Sequence, residues 1–204
     1  MLNRVPAARF VALLPLCAVL LAAGCASRPS GPKAVAELKP ASGSQASGTV
    51  WLAQESDRVV VRAKVSGLKP NQEHGFHVHE KGDCSAPDAT SAGGHFNPNA
   101  KPHGPQAGDH HAGDLPSLKA DASGVAQTTF EIPGVLLGSG STDLMGKAFV
   151  VHEDPDDYAS QPAGNSGKRI ACGVIASPAT PQGVSAPAAP PAAGDPPKTI
   201  PKQM

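Results

Sequence analysis

The chain has 204 residues, with 17 Lys+Arg against 17 Asp+Glu, so its formal charge is zero. Hydrophobic residues make up 40%, aromatic residues 3%, and Gly and Pro number 22 each. So many breakers exclude a helical bundle or coiled coil. The balanced charge excludes a nucleic-acid binder that works through a general basic field, and no apolar run reaches the roughly 18–20 residues of a membrane span.

Arg4 and Arg9 open the chain with no acid among them, and Phe10 to Ala23 is an apolar stretch of 14 residues broken only by Pro15. These are the length and flanks of a secretory signal. The stretch ends Leu21-Ala22-Ala23-Gly24-Cys25, which resembles a bacterial lipoprotein processing site. Residues 1–24 are therefore expected to be a cleaved signal peptide and Cys25 a lipid-carrying first residue. The alternative is an ordinary cleaved signal in which Cys25 is incidental. Removing Arg4 and Arg9 leaves 15 basic against 17 acidic side chains. Cys17 departs with the signal, so Cys84 and Cys172 remain as an even pair in an exported chain. A disulfide is the natural reading of that pair. It would close a loop of about 90 residues and contribute on the order of 4 kcal/mol by the chain-entropy model.

Residues 25–33 read as a polar, flexible tether. Thr49 to Ala53 is a strand signal followed by a polar turn at Glu55-Ser56-Asp57. Val59 to Val65 alternates as a half-buried strand and turns at Gly67 to Asn71. Gly75 to His79, Ala126 to Ile132, Ala148 to His152 and Ile170 to Ile175 follow, each bounded by Gly, Pro or Asp. Trp51 is expected to be a plain packing residue. Two connections, roughly 80–123 and 153–169, carry little pattern of their own, and long loops in a compact domain are usually functional. The expected fold is all-β: an antiparallel Greek-key sandwich or flattened barrel over residues 34–176, with two long functional loops. Residues 177–204 hold 8 Pro and 6 Ala among 28 positions and read as a disordered tail.

All 8 histidines lie between residues 74 and 152. His77 and His79 alternate on a strand, so both project from one face while Val78 points into the core. His95, His103 and His111 follow at intervals of eight, Asp114 comes three residues later, and His152 ends a separate strand. Imidazoles with one carboxylate suit zinc and copper, and suit calcium or magnesium poorly. One such histidine is most often an ordinary surface or core residue; six in this order are not.

At this point the chain resembles the copper/zinc superoxide dismutases in their bacterial exported form. The resemblance rests on His74-Gly75-Phe76-His77-Val78-His79-Glu80, Gly94-His95-Phe96-Asn97-Pro98, His111-Ala112-Gly113-Asp114-Leu115 and Val150-Val151-His152-Glu153. It continues through Gly164 to Ile175, with Arg169 and Cys172. That family is itself a standard example of the sandwich fold and of anion steering. The resemblance implies one copper and one zinc ion per subunit. It assigns copper to His77, His79, His95 and His152, and zinc to His95, His103, His111 and Asp114, with His95 bridging. It implies that Asp156 ties His77 to His103, that Arg169 stands beside the copper, that Cys84 pairs with Cys172, and that His74 braces the sheet. Register favours His111 over His110, because Ala112-Gly113-Asp114 follows it. The catalytic pair would be Arg169 and His95, the substrate superoxide, and the location the cell envelope, facing the periplasm on a lipid at Cys25. Lys81 and Lys168 are candidates for a guiding field.

The chain departs from the eukaryotic pattern: Cys84 lies nearer the His77/His79 pair, the loop from Asp154 to Lys168 is short, and Ala163 stands where a threonine is usual. Steering charges and a dimer interface therefore do not carry over, and both a homodimer and a monomer fit the sequence. Three other readings compete: a copper store or carrier on the same fold, a copper-only variant, and an immunoglobulin-like adhesion module. Arg169 argues against the first, the His103–His111–Asp114 set against the second, and the histidine order against the third.

Overall fold

A computed structural model describes residues 31–178. The signal, Cys25, most of the tether and residues 179–204 lie outside the described residues. Nine strands follow in chain order: β1 (Lys33–Pro40), β2 (Ser47–Glu55), β3 (Arg58–Ser66), β4 (Glu73–His74), β5 (Phe76–His79), β6 (Leu118–Lys119), β7 (Ala126–Pro133), β8 (Ala148–His152) and β9 (Arg169–Val174). Among the described residues there is no α-helix, only a 3-10 turn at Thr90–Ala92. The expected all-β class holds.

Seven strands form one curled antiparallel sheet in the order β5-β8-β9-β1-β2-β3-β7. β1 is its hinge. Lys33 to Leu38 pair with β2, whereas Lys39 and Pro40 pair with Cys172 and Ala171 of β9. No strand was expected there, and β1 begins inside the segment read as tether. Its inward positions are Ala34, Ala36 and Leu38. Two alanines make the alternation faint to a reader of hydrophobicity, although it places three side chains on the core face. The β4–β6 pair, Glu73 with Lys119 and His74 with Leu118, is too short to carry a pattern.

The period of two is clear elsewhere. Val59, Val61, Ala63 and Val65 of β3 are fully buried, and so is Val50 of β2, with Leu52 close behind. That same alternation puts Trp51 on the outer face between Val35 and Arg62, where it is 45% exposed. The expectation of a packing role for Trp51 is corrected: with Val50 and Leu52 inward, the residue between them has to face out.

β8 is buried on both faces. Phe149 stacks on Phe76 at a centroid distance of 5.1 Å within the main core. On the other face Ala148 and Val150 pack with Ala41, Ala89, Ala92 and the Cys84–Cys172 disulfide. This disulfide joins residues 88 apart, with Cα atoms at 5.8 Å, and moors the first long loop to β9. The loop can therefore lie close over β5 and β8, and the site forms there.

Phe149→Ala empties the centre of the core and should destabilise the protein by about 3–5 kcal/mol. Urea unfolding of the metal-free protein measures this; an unchanged midpoint would contradict the core assignment.

Candidate metal centre

β5 is the edge strand of the sheet, and the loop strands that cover its open side carry ligands. Val78 N–H donates to Gly113 O at 2.9 Å, and Phe96 N–H donates to Val78 O at 2.8 Å. His77 thereby sits opposite Asp114, and His79 opposite His95. On its other side β5 pairs with β8, His77 against Val150 and His79 against Ala148. His152 lies at an irregularity in the β8–β9 ladder, opposite Arg169. A bulge of this kind re-aims the side chain next to it.

These placements produce two groups of donor atoms. His77, His79, His95 and His152 form one; His95, His103, His111 and Asp114 form the other. Within each group the donor atoms lie within 4.8 Å of one another. His95 belongs to both, and its ring centroid is 4.0 Å from that of His77 and 5.5 Å from that of His111.

The outward hydrogen bonds decide which nitrogen of each ring faces inward. His77 Nε2–H donates to Asp156 Oδ2 at 2.7 Å, and His103 Nε2–H donates to Asp156 Oδ1 at 2.9 Å. His79 Nδ1–H donates to Gly93 O at 2.9 Å. A ring that gives its proton outward turns a lone pair inward. Accordingly His77 Nδ1, His79 Nε2, His95 Nε2 and His152 Nε2 are buried without a hydrogen-bond partner, and His103 Nδ1 faces only the Asp114 carboxylate. Leaving such groups unmatched is costly unless something else occupies them.

In the second group Asp114 Oδ1 lies 2.8 Å from His95 Nδ1, 3.0 Å from His103 Nδ1 and 3.2 Å from His111 Nδ1, and the His95 and His111 Nδ1 atoms are 3.4 Å apart. The ligands of a tetrahedral zinc at 2.0–2.1 Å are separated by roughly 3.3 Å, so this spacing fits such an ion. Asp114 is itself held by the N–H groups of His111 and Gly104 on Oδ2. The donor chemistry of both groups fits copper and zinc.

The electrostatics differ between the groups. Burial lowers the pKa of His77 to about 4 and that of His152 to about 3, with the charge of neighbouring rings acting in the same direction. His79 is likewise pushed well below the ordinary histidine value by burial and by His95. His111 is lowered, chiefly by burial. For His103 burial also opposes charge, but the Asp156 hydrogen bond and the Asp114 field outweigh it and raise the pKa. Burial opposes the charge of Asp114 and Asp156 too, yet the donors around them hold both carboxyls below the usual range.

Arg169 is half-buried and donates from Nη1 to Ala89 O at 2.8 Å and from Nη2 to Gly93 O at 2.7 Å. Gly93 O thus accepts from both Arg169 and His79. Sharing that acceptor with His79, and lying opposite His152 in the β8–β9 ladder, Arg169 stands beside the first group. His74 is in neither group; its Nδ1 bonds to the His152 carbonyl at 2.9 Å. His110 is also in neither, bonding to Gly108 O on an exposed turn. Lys81 and Lys168 are exposed. The sequence reading missed Gln161 and Tyr158, whose bonds go to the loop carrying the second group.

The family model for copper/zinc superoxide dismutase matches residues 46–175, most of the described chain. This chain belongs to the copper/zinc superoxide dismutase family. It is 43% identical over 150 residues to "Superoxide dismutase [Cu-Zn] 2" of Aquifex aeolicus, covering 70% of this chain and 86% of that one. It is 37% identical over 186 residues to the superoxide dismutase-like protein YojM of Bacillus subtilis, covering 80% of this chain and 94% of that one. Among solved structures, a SOD-like protein from Bacillus subtilis superposes with a TM-score of 0.63 at 37% identity, covering 69% of this chain and 96% of that one. The clock protein EA4 superposes with a TM-score of 0.65 at 35% identity, covering 74% of this chain and 98% of that one. Membership makes this chain an oxidoreductase of the superoxide dismutase type, with superoxide as substrate and one copper and one zinc ion per subunit.

The histidine shifts predict the pH dependence of the metal-free fold. Between the unfolded value of 6.5 and folded values of about 4 for His77 and about 3 for His152, the unfolded chain binds more protons. Stability therefore rises with pH through that window and is lost as pH falls below about 6.5. Thermal midpoints of the metal-free protein should drop steadily from pH 6.5 to pH 4, and His152→Gln should flatten the slope. A slope identical in the variant would contradict the assigned burial cost.

Proposed function

We propose that the His77–His79–His95–His152 group holds copper, that the His95–His103–His111–Asp114 group holds zinc, and that His95 bridges the two. The observation that carries this reading is the set of inward, unpartnered ring nitrogens, with His95 in both groups. When bound, copper supplies one-electron transfer in either direction, and zinc supplies a fixed positive charge without redox chemistry. Two superoxide ions and two protons then give one dioxygen and one hydrogen peroxide.

The chain's own residues supply the rest. His95 Nε2 is the proton-handling atom: it is buried, faces the first group and has no protein partner. When not engaged by copper, it can hold a proton for the peroxide product. Asp114 Oδ1 lies 2.8 Å from His95 Nδ1, so the two atoms would share the second ion, and that ion would hold the ring. Asp156 holds His77 and His103 by their outer nitrogens, so neither ring turns as charge changes. Arg169 supplies a permanent cation with a directional fork, positioned by two carbonyls, to draw the superoxide anion to the group's edge. The exposed Lys81 and Lys168 are candidates to extend that field. A copper store needs none of this anion guidance, and a copper-only protein has no use for the second group.

The reading extends to location. The signal-like residues 1–24 and the small residues before Cys25 support export and lipidation at Cys25, which would hold the enzyme in the cell envelope, facing the periplasm, to protect that compartment from superoxide.

Metal counts and superoxide decay test the site. The parent protein should hold one copper and one zinc ion and show fast turnover. His152→Ala should lose copper and at least about 100-fold in activity, the upper end of what losing even an outer partner of a ligand costs, while keeping zinc. Equal loss of both metals would overturn the partition. For the location, Cys25→Ala should move the protein from membrane to soluble fractions; continued membrane retention would refute the anchor.

A further inference from the structure

The ligands differ in what holds their backbone. His77 and His79 lie in the β5–β8 ladder. His95 and Asp114 sit at bridges to β5. His152 N–H donates to Gly75 O at 2.8 Å, and His111 O accepts the Asp114 N–H at 3.0 Å. His103 belongs to no strand, and among the described residues its backbone makes no bond to another backbone.

Both backbone groups of His103 are instead taken by one side chain from the opposite loop. The His103 N–H donates to Gln161 Oε1 at 2.9 Å, and Gln161 Nε2 donates to the His103 carbonyl at 2.9 Å. The carboxamide offers one acceptor and one donor side by side, as a neighbouring strand would. Gln161 Nε2 is steadied in turn by Ala159 O at 3.3 Å. Close by, Gly164 leaves no room for a side chain: a Cβ there would stand 2.6 Å from His103 Nε2 and collide with Asp156 Oδ1.

We propose that Gln161 is a positioning residue for the second metal group, replacing the missing strand partner of His103 and so setting the direction of His103 Nδ1. Asp156 fixes the far nitrogen of the ring, and Gln161 fixes the main chain from which the ring hangs. With both ends held, Nδ1 stays aimed at the ion without any contact between Gln161 and the metal. The same loop has a second tie, where the Ser117 N–H donates to Tyr158 Oη at 2.7 Å and the Tyr158 hydroxyl donates to Ser117 Oγ at 3.0 Å. The hydroxyl also lies 3.4 Å from the Leu115 carbonyl, but the tie touches neither the backbone nor the side chain of a ligand, so it serves as an internal control.

This inference rests on zinc binding at the second group. The test uses the full metal-loaded protein and its cobalt derivative, with Co²⁺ in place of zinc as a spectroscopic probe of ligand geometry. Gln161→Ala removes the clamp, and Gln161→Met removes its hydrogen bonds while preserving most of its volume. Both should release zinc to a chelator about 10-fold faster than the parent, the lower end of what loss of a ligand's support costs. Their visible cobalt bands should shift, while copper release stays within about twofold. Tyr158→Phe should leave the zinc rate and the cobalt bands near the parent's. Parent-like zinc release and cobalt bands in Gln161→Met would overturn the proposal. So would equal acceleration by Tyr158→Phe, which would assign the effect to loosening of the whole loop. A parent protein that binds neither Zn²⁺ nor Co²⁺ at this group would overturn the metal reading itself, and the inference with it.

Discussion

One carboxylate joins the two halves of the site. Asp156 accepts the His77 N–H on one oxygen and the His103 N–H on the other, and both rings are buried. A neutral imidazole has one proton, and whichever nitrogen carries it cannot offer a lone pair. By drawing the proton of each ring to its outer nitrogen, Asp156 turns His77 Nδ1 toward one group and His103 Nδ1 toward the other. The Gly93 carbonyl does the same for His79. The unpaired nitrogens inside are the consequence, and as converging imidazole donors they suit a metal ion.

The fold serves this arrangement through an edge strand. β5 has a regular neighbour only in β8, and its other side would be an exposed row of backbone groups. The first long loop covers that side with two short bridges, and the residues opposite His77 and His79 are Asp114 and His95. Capping the edge and delivering ligands are thus one event. The Cys84–Cys172 disulfide and Arg169 fasten the start of the same loop to β9. The second loop closes over the first through Asp156, Tyr158 and Gln161. The face formed by β1, β2 and β3, where Trp51 stands exposed, contributes no ligand.

Much of this was legible because strand periodicity acts locally. His77 and His79 share a face whatever they pack against, and Val78 between them lies in the core. Strands β2, β3, β7, β8 and β9 announced themselves through Val, Ile, Thr and Phe between turn residues. β1 did not, because its inward side chains are mostly alanine and its partners lie on both sides of a curled sheet. Trp51 was misread because residue type was allowed to outweigh the alternation set by Val50 and Leu52. Gln161 left no sign, because it bonds to backbone, which every residue has, across 58 positions of sequence.

The sequence by itself determined the inventory of donors, their order, and the facing of those on a single strand, because a two-residue repeat needs only neighbours. Only the tertiary structure decided which nitrogen of each ring looks inward, since that choice belongs to partners as far as 79 residues away. It alone brought the donors into two groups that share His95, because convergence depends on how loops lie across an edge strand. Local rules specify what a segment presents; hydrogen bonds between distant segments specify what it is presented to.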